Sequence, residues 1–317
     1  MIFEWKNHYA ELAVSNSTGW DHFKPNDHLM RFYVEDDHNY EPEPWEIFFN
    51  DWLASDEPAQ ITGIVLDRWW TWNDPVERMS ADYVLAHIAN ARERLPLLRA
   101  LFVGHITERK WALSSITQGH YAPVLAAYPQ LESLVIRGGT DLSFGAIQHQ
   151  QLKTLVIQTT GLPAKVVHEL AAADLPVLEH LELWVGSHES GGDSTVADLQ
   201  PIFNGECFPV LKSLALRNCD YADALAEALA NASIVERINM LDLSLGNLSD
   251  IGAEALFASP AIRKLAMLVL HHHYLSDDML DCWSSIELAV EVSGQQFVGD
   301  HAVERARAIA VSEYLQD

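Results

Sequence analysis

Cysteine and positive charge are the two things this sequence has little of. The three cysteines, Cys207, Cys219 and Cys282, are widely separated, so no close pair sketches a disulfide framework or a zinc knuckle, and isolated thiols suit a reducing compartment. Lys and Arg number 20 against 45 Asp and Glu, a formal net charge of -25. Such a field repels phosphate backbones and anionic membrane surfaces, which excludes nucleic acid as the expected partner and favours a basic or mixed-charge protein, although acidity also serves solubility alone. No apolar run approaches the ~18 residues of a membrane span, and the opening MIFEWKNHYA lacks a basic stretch followed by an apolar core. A soluble, cytoplasmic protein is expected. Catalytic signatures are missing as well: there is no G-x-S-x-G elbow, no H-E-x-x-H, no phosphate-binding glycine loop and no nucleotide fingerprint.

What is there is repetition. Hydrophobic residues make up 49% of the 317, an ordinary globular share, and they recur in a strand-like phrase, apolar-x-x-apolar-x-apolar. Copies start at Ile61, Leu98, Leu131, Leu152, Leu178, Leu211, Ile238 and Leu265, separated by 37, 33, 21, 26, 33, 27 and 27 residues. A weaker ninth copy lies at Leu288 to Val292. The last two apolar positions of each phrase are two apart, the period of a strand with one buried face. Leu101/Val103, Leu134/Ile136, Leu155/Ile157, Leu181/Leu183, Leu214/Leu216 and Leu241/Leu243 are therefore expected to form one stacked interior.

Between the phrases the spacing turns helical, as in PAKVVHELAAA, TVADLQPIF, YADALAEALANAS and DIGAEALFAS, and Thr195 with Asp198 matches a capping box. Proline recurs ahead of the phrases at 96, 129, 176, 209 and 260, where it is expected to stop each helix. A strand followed by a helix, repeated, predicts a curved α/β solenoid over residues 61–292, with an N-terminal cap over 1–60 and a C-terminal cap over 293–317.

The phrase LDLSLGNLSDIGAEAL, from Leu241 to Leu256, resembles the strand-turn-helix unit of ribonuclease-inhibitor-type leucine-rich repeats, and LEHLELWVGSHESGGDSTVADLQP is similar to bacterial leucine-rich-repeat proteins with no assigned activity. The resemblance implies a horseshoe with parallel strands on the concave face and helices on the convex face. The family usually carries Asn or Cys three residues past the last apolar strand position. Here Ile106, Gly139, Thr160, Gly186, Cys219, Gly246 and His273 stand there, so only Cys219 conforms and the turns must be satisfied differently.

Residues alternating with the buried pairs should face the concave side. Their central row reads Val65, Phe102, Val135, Val156, Glu182, Ala215, Asp242 and Val269, bordered by Arg137, Trp184 and Arg217. An apolar strip edged by Trp and Arg has the composition of an interaction site, so Phe102, Arg137, Trp184, Glu182, Arg217 and Asp242 are the candidate partner-binding residues. The opposing expectation is that the N-terminal segment folds over Val65, Phe102, Val135 and Val156. Trp69, Trp70 and Trp72 fit a cap or an anchor, and the loop from Gly186 to Thr195 fits a flexible turn better than an anion site, since Glu189 and Asp193 would repel an anion. The sequence thus points to a non-catalytic protein-interaction module, monomeric or homodimeric, with no cofactor and no metal. The competing reading is a metal-dependent hydrolase using His271, His273 and Asp277 within HHHYLSDD.

Overall fold

Apolar residues two apart stabilise an extended chain with one face out of water, and the repeated phrases fold accordingly. The computed structural model describes residues 2–5 and 8–13 as backbone, and 28–34, 44–71, 74–106 and 112–297 in full. The chain forms two compact units, Met1–Leu155 and Val156–Asp317.

In the first unit β1 (Ile2–Trp5) and β2 (His8–Ala13) are antiparallel, and β2 is antiparallel to β3 (Leu29–Val34). After α1 (Trp45–Leu53) comes β4 (Gly63–Leu66), parallel to β3. Next follow α2 (Val76–Met79), α3 (Ala81–Asn90), β5 (Ala100–Val103), α4 (Ala122–Ala127) and β6 (Ser133–Arg137), each new strand parallel to the last. β7 (Thr154–Gln158) carries the chain into the second unit. There α5 (Ala164–Ala171), β8 (His180–Gly186), α6 (Val196–Phe203), β9 (Ser213–Cys219), α7 (Ala222–Leu229), β10 (Met240–Asp242), α8 (Asp250–Ala258), β11 (Met267–Val269), α9 (Asp277–Ser284) and β12 (Val290–Glu291) alternate. The strands β8 to β12 are parallel throughout.

This is a leucine-rich-repeat fold. The expected interior pairs stack in register, Leu101 on Leu134, Leu181 on Leu214, and Leu241 on both Leu214 and Leu268, all fully buried. The parallel array starts earlier than residue 61: Met30 and Phe32 pair with Ile64 and Leu66, inside the segment expected to be a cap. Phe32 is ringed by Trp45, Phe48, Phe49 and Trp52 of α1 at 5.0 to 6.0 Å, a plug that keeps the first strands of the array dry. Trp69 and Trp70 are buried edge to face, and Trp72 lies outside the described residues, as do 298–317 of the expected C-terminal cap.

Proline has a different job from the one the sequence suggested. Pro96, Pro129, Pro176 and Pro209 each occupy the second position of a tight turn closed by the amide three residues after its first carbonyl: Leu98 to Leu95, Leu131 to Tyr128, Leu178 to Leu175, and Leu211 to Phe208. Proline's fixed φ suits that position, and the turn delivers the first apolar residue to the strand. Pro129 and Pro260 also stand two residues past a helix, after α4 ends at Ala127 and α8 at Ala258.

The missing asparagine ladder is replaced by two devices. At the family position, Cys219 Sγ accepts the Tyr221 amide at 3.4 Å, and the fully buried His273 accepts the Leu275 amide on Nδ1 at 3.1 Å while Nε2 donates to the Val292 carbonyl at 2.8 Å. Elsewhere aspartates stitch one repeat to another. Asp82 accepts the His120 amide at 2.6 Å, Asp193 that of Ala164 at 2.6 Å, Asp223 that of Ser249 at 2.7 Å and Asp250 that of Ser276 at 2.8 Å. The predicted capping box of Thr195 and Asp198 is present at the start of α6.

The loop after β8 depends on one glycine. Gly186 has φ 75°, and a Cβ there would lie 1.9 Å from the Thr160 carbonyl oxygen, whereas a Cβ on Gly191, at φ 87°, meets nothing within 4 Å. Gly186→Ala should therefore lower stability by roughly 3 kcal/mol or more through backbone collision, and Gly191→Ala by only the ~1–2 kcal/mol of a left-handed residue. Urea unfolding of the two variants checks this, and equal losses would contradict it.

Candidate functional site

On β8, β9 and β10 the residues that alternate with the buried leucines build a polar cluster on the inner face of the second unit. Register places Ala215 beside both Glu182 and Asp242. The methyl of Ala215 leaves room between the two carboxylates, and Arg217, two residues along and paired with Trp184, reaches back to both. Its Nη1 lies 3.4 Å from Glu182 Oε1, its Nε 3.5 Å from Asp242 Oδ2 and 2.9 Å from Ser244 Oγ. The guanidinium sits 5.3 Å over the Trp184 ring, and the Trp184 indole donates to Glu182 at 2.6 Å. His180 flanks the cluster, with Nδ1 3.0 Å from Ser213 Oγ and Nε2 3.7 Å from Glu182 Oε2.

Glu182, Asp242 and Trp184 are 4%, 7% and 8% exposed. Burial pushes the Asp242 carboxyl up from its ordinary range, opposed by Arg217 and by the Ser244 hydrogen bonds. Carboxylates committed to a guanidinium and an indole are poorly placed as acid or base. They instead fix a cation and an aromatic ring in one geometry. The accessible part of this face includes Arg217, His180, Met240 and Met267, the last 37% exposed and paired with Met240.

Sequence reasoning reached Trp184, Glu182, Arg217 and Asp242, and the structure brings these four together. Alternation also puts His180, Ser213 and Ser244 on this face, although they are not among the candidate residues. Phe102 and Arg137 belong to the first unit, where the environment differs. The strip read as open and apolar is buried there: Val65 and Val135 are fully covered and Phe102 is 3% exposed, its ring edge-on to His105 at 5.1 Å. Val156, in the second unit, is buried too. Residues 14–27 and 35–43 of the N-terminal segment expected to cover the strip lie outside the described residues. On this same side Asp67, 1% exposed, pairs with Arg31 and accepts the Arg68 amide at 2.8 Å. Burial drives His105 down to about 4, against Asp67 and with help from Arg31 and Arg137.

The histidine run does not assemble a metal centre. His273 uses both ring nitrogens on backbone groups, His271 Nδ1 is 2.8 Å from Ser293 Oγ, and Asp277 accepts from Gln295 at 3.1 Å. Among the described residues no group of three His, Cys, Asp or Glu is arranged to hold a metal, so the hydrolase reading has no ligand set to stand on. The loop from Gly186 to Thr195 is bonded to the preceding repeat and within itself, the Ser187 amide donating to the Thr160 carbonyl at 2.8 Å and that of Gly192 to the Ser187 carbonyl at 3.0 Å.

Two predictions follow from these charges. Arg217→Ala removes the guanidinium from two buried carboxylates and should cost about 2–4 kcal/mol, the lower part of the range reflecting the partial exposure of Arg217; adding Glu182→Gln and Asp242→Asn should restore most of it. A triple variant no more stable than the single would show that the ion pairs are not what Arg217 contributes. The second concerns acid. Burial lowers His87, His105, His149, His272 and His273, so below about pH 6.5 the unfolded chain takes up protons that the folded chain refuses. Stability should fall from pH 6.5 toward 4, with Asp242, shifted up, opposing slightly. His273→Asn, which keeps one donor and one acceptor, should flatten that fall; an unchanged slope in urea titrations at pH 7 and 5 counts against it.

No protein-family model matches this chain, and no curated protein matches it. Among solved structures, a crystal structure of a Bacteroides fragilis protein from a structural genomics programme is similar, with 28% identity and a TM-score of 0.73 over 81% of this chain and 74% of that one. An internalin from Listeria monocytogenes, at 12% identity and a TM-score of 0.30 over 73% of this chain and 79% of that one, is too distant to carry an argument. The likeness to the Bacteroides fragilis protein agrees with the repeat architecture described above and names no activity.

Proposed function

We propose that this chain is a non-catalytic protein-interaction module that meets its partner on the inner face of β8 to β11. The observation that carries the reading is the Met240 and Met267 pair, solvent-accessible on the same face of the sheet as an Arg217 held over Trp184 by Glu182 and Asp242. Flexible, polarisable methionines on one face with a fixed cation and ring are the mixture from which adaptable contacts are made. Trp184, Glu182 and Asp242 act as the platform and Arg217 as the orienting charge. Arg137 would contribute on the first unit, whereas Phe102 supports that face from beneath.

The partner proposed is a basic or mixed-charge protein, in keeping with the net charge of -25, met in the cytoplasm by a chain that needs no cofactor. No helix among the described residues is long and apolar enough to cross a membrane. Met240→Asp with Met267→Asp, both at accessible positions, should leave the thermal midpoint within a few degrees. The same pair should reduce cross-linked partner recovered from native lysate at least tenfold. Recovery of the same proteins in the same amounts by the variant would move the interaction off this face.

A further inference from the structure

Past the ends of β8 and β9 the second unit has a cleft that the inner face does not use. It lies between the loop after β8, the start of α6 and the start of α7, and holds about 480 Å³, within the range of sites that take small molecules. Val196, Ala197, Ala224 and Tyr221 make its lining mostly apolar, and Asp220 and His188 are among its polar residues.

The Asp220 carboxylate is the group in that lining with bonding capacity to spare. Its Oδ2 accepts the His188 amide at 3.3 Å, a long bond, and its Oδ1 is buried with no hydrogen-bond partner among the described residues. A carboxylate oxygen withdrawn from water without a donor is costly, and a donor that carries positive charge offsets that cost best. The other polar side chains of the cleft are engaged. His188 Nδ1 lies 2.7 Å from the Gly192 carbonyl, Ser194 Oγ 3.3 Å from the Tyr221 hydroxyl, and Thr195 donates to Asp198 at 2.6 Å.

Among the described residues no lysine or arginine lines the cleft. From Gly186 to Ala224 the only cations are Lys212 and Arg217, and they pair with Glu179 at 2.8 Å and with Glu182 and Asp242 on the inner face. The same stretch carries Glu189, Asp193, Asp198, Glu206, Asp220 and Asp223, a field that draws in cations and repels anions. A bare metal ion fits poorly, because no group of three ligands is arranged for one among the described residues and hydrocarbon walls give it nothing to bind. An apolar body with a charged tip satisfies both the walls and the carboxylate.

We propose that this cleft binds a small organic cation, an ammonium or guanidinium on an apolar stem, with the charge set against Asp220 and the stem against Tyr221, Val196 and Ala224. The cleft shares no residue with the inner face assigned to a protein partner, and the two readings stand or fall separately.

Amide NMR of the full chain, titrated with phenylpropylamine and with its uncharged analogue phenylpropanol, tests it. The amine should give saturable shifts at His188, Tyr221 and Ala224, half-complete on the order of 1 mM, as befits a ligand of so few atoms, and the alcohol should bind at least tenfold more weakly. Asp220→Asn keeps an acceptor for the His188 amide and removes the charge, and should weaken the amine about tenfold. Ala224→Phe, at an exposed helix position, should fill the cleft and abolish the shifts with the thermal midpoint within a few degrees of the native value. Met240→Asp with Met267→Asp, on the inner face, should bind the amine as the native chain does. Equal affinity for amine and alcohol would overturn the proposal, as would indifference to Asp220→Asn or shifts that spread over the acidic surface without saturating. An acetylated and amidated arginine peptide that binds at the same residues at least tenfold tighter than the amine would also overturn it, since a partner's side chain would then be the occupant.

Discussion

Every repeat in this chain has the same deficiency: its strand presents two large aliphatic side chains on one face and has nothing of its own to cover one side of them. Burying a Leu or Ile is worth about 1.5–3 kcal/mol, and a single strand-helix unit can collect that only from neighbours on either side. The in-register stacks of Ile64, Leu101 and Leu134 in one unit, and Leu181, Leu214, Leu241 and Leu268 in the other, meet that requirement. Their consequence is that the rest of each repeat can vary. Repeat lengths drift, helices shorten to four or six residues at α2 and α4, and the turns are closed by whatever group is at hand, because register is already fixed by the interior pairs.

The same constraint explains how much was legible. Interior pairs, the four quoted helices and the capping box are local patterns with a period, and the structure reproduces them. The array's earlier start was harder to see, because in LMRFYV the buried partners are Met30 and Phe32, and an aromatic in a leucine position breaks the phrase without breaking the period. The proline turns are local too, but their sequence, such as Phe-Pro-Val-Leu from Phe208, reads equally as a helix stop. Only the Phe208 to Leu211 bond distinguishes the two.

The inner face was the least legible region because its burial is a property of neighbours in space. Alternation correctly placed Glu182, Trp184, Arg217 and Asp242 on one side of the sheet. It carried no information on whether that side would be wet, and Val65, Phe102 and Val135 could be read as an exposed apolar strip for that reason. Nor does alternation show that a small residue, Ala215, must stand between two carboxylates for one arginine to serve both. Once the contact is known, the sequence signal is visible: an acid in the central row of two strands, flanking an alanine in the strand between, with an arginine two residues beyond it.

Acidity was the most conspicuous global feature and invites a single explanation in terms of partners. A part of it is internal. Asp82, Asp193, Asp223 and Asp250 accept backbone amides at or just ahead of helix starts and turns in neighbouring repeats, doing with carboxylates what an asparagine ladder does with amides. Three of these sit within or next to a helix's first turn, where the helix dipole favours negative charge. A charged acceptor makes a stronger bond than a neutral one, and its cost in mutual repulsion is modest while the carboxylates remain near solvent, where water and salt screen them. The net charge is therefore weaker testimony about the partner than its size suggests. The identity of the partner proposed for the inner face has to be sought in the geometry of Arg217, Met240 and Met267 before it is sought in the charge of the whole.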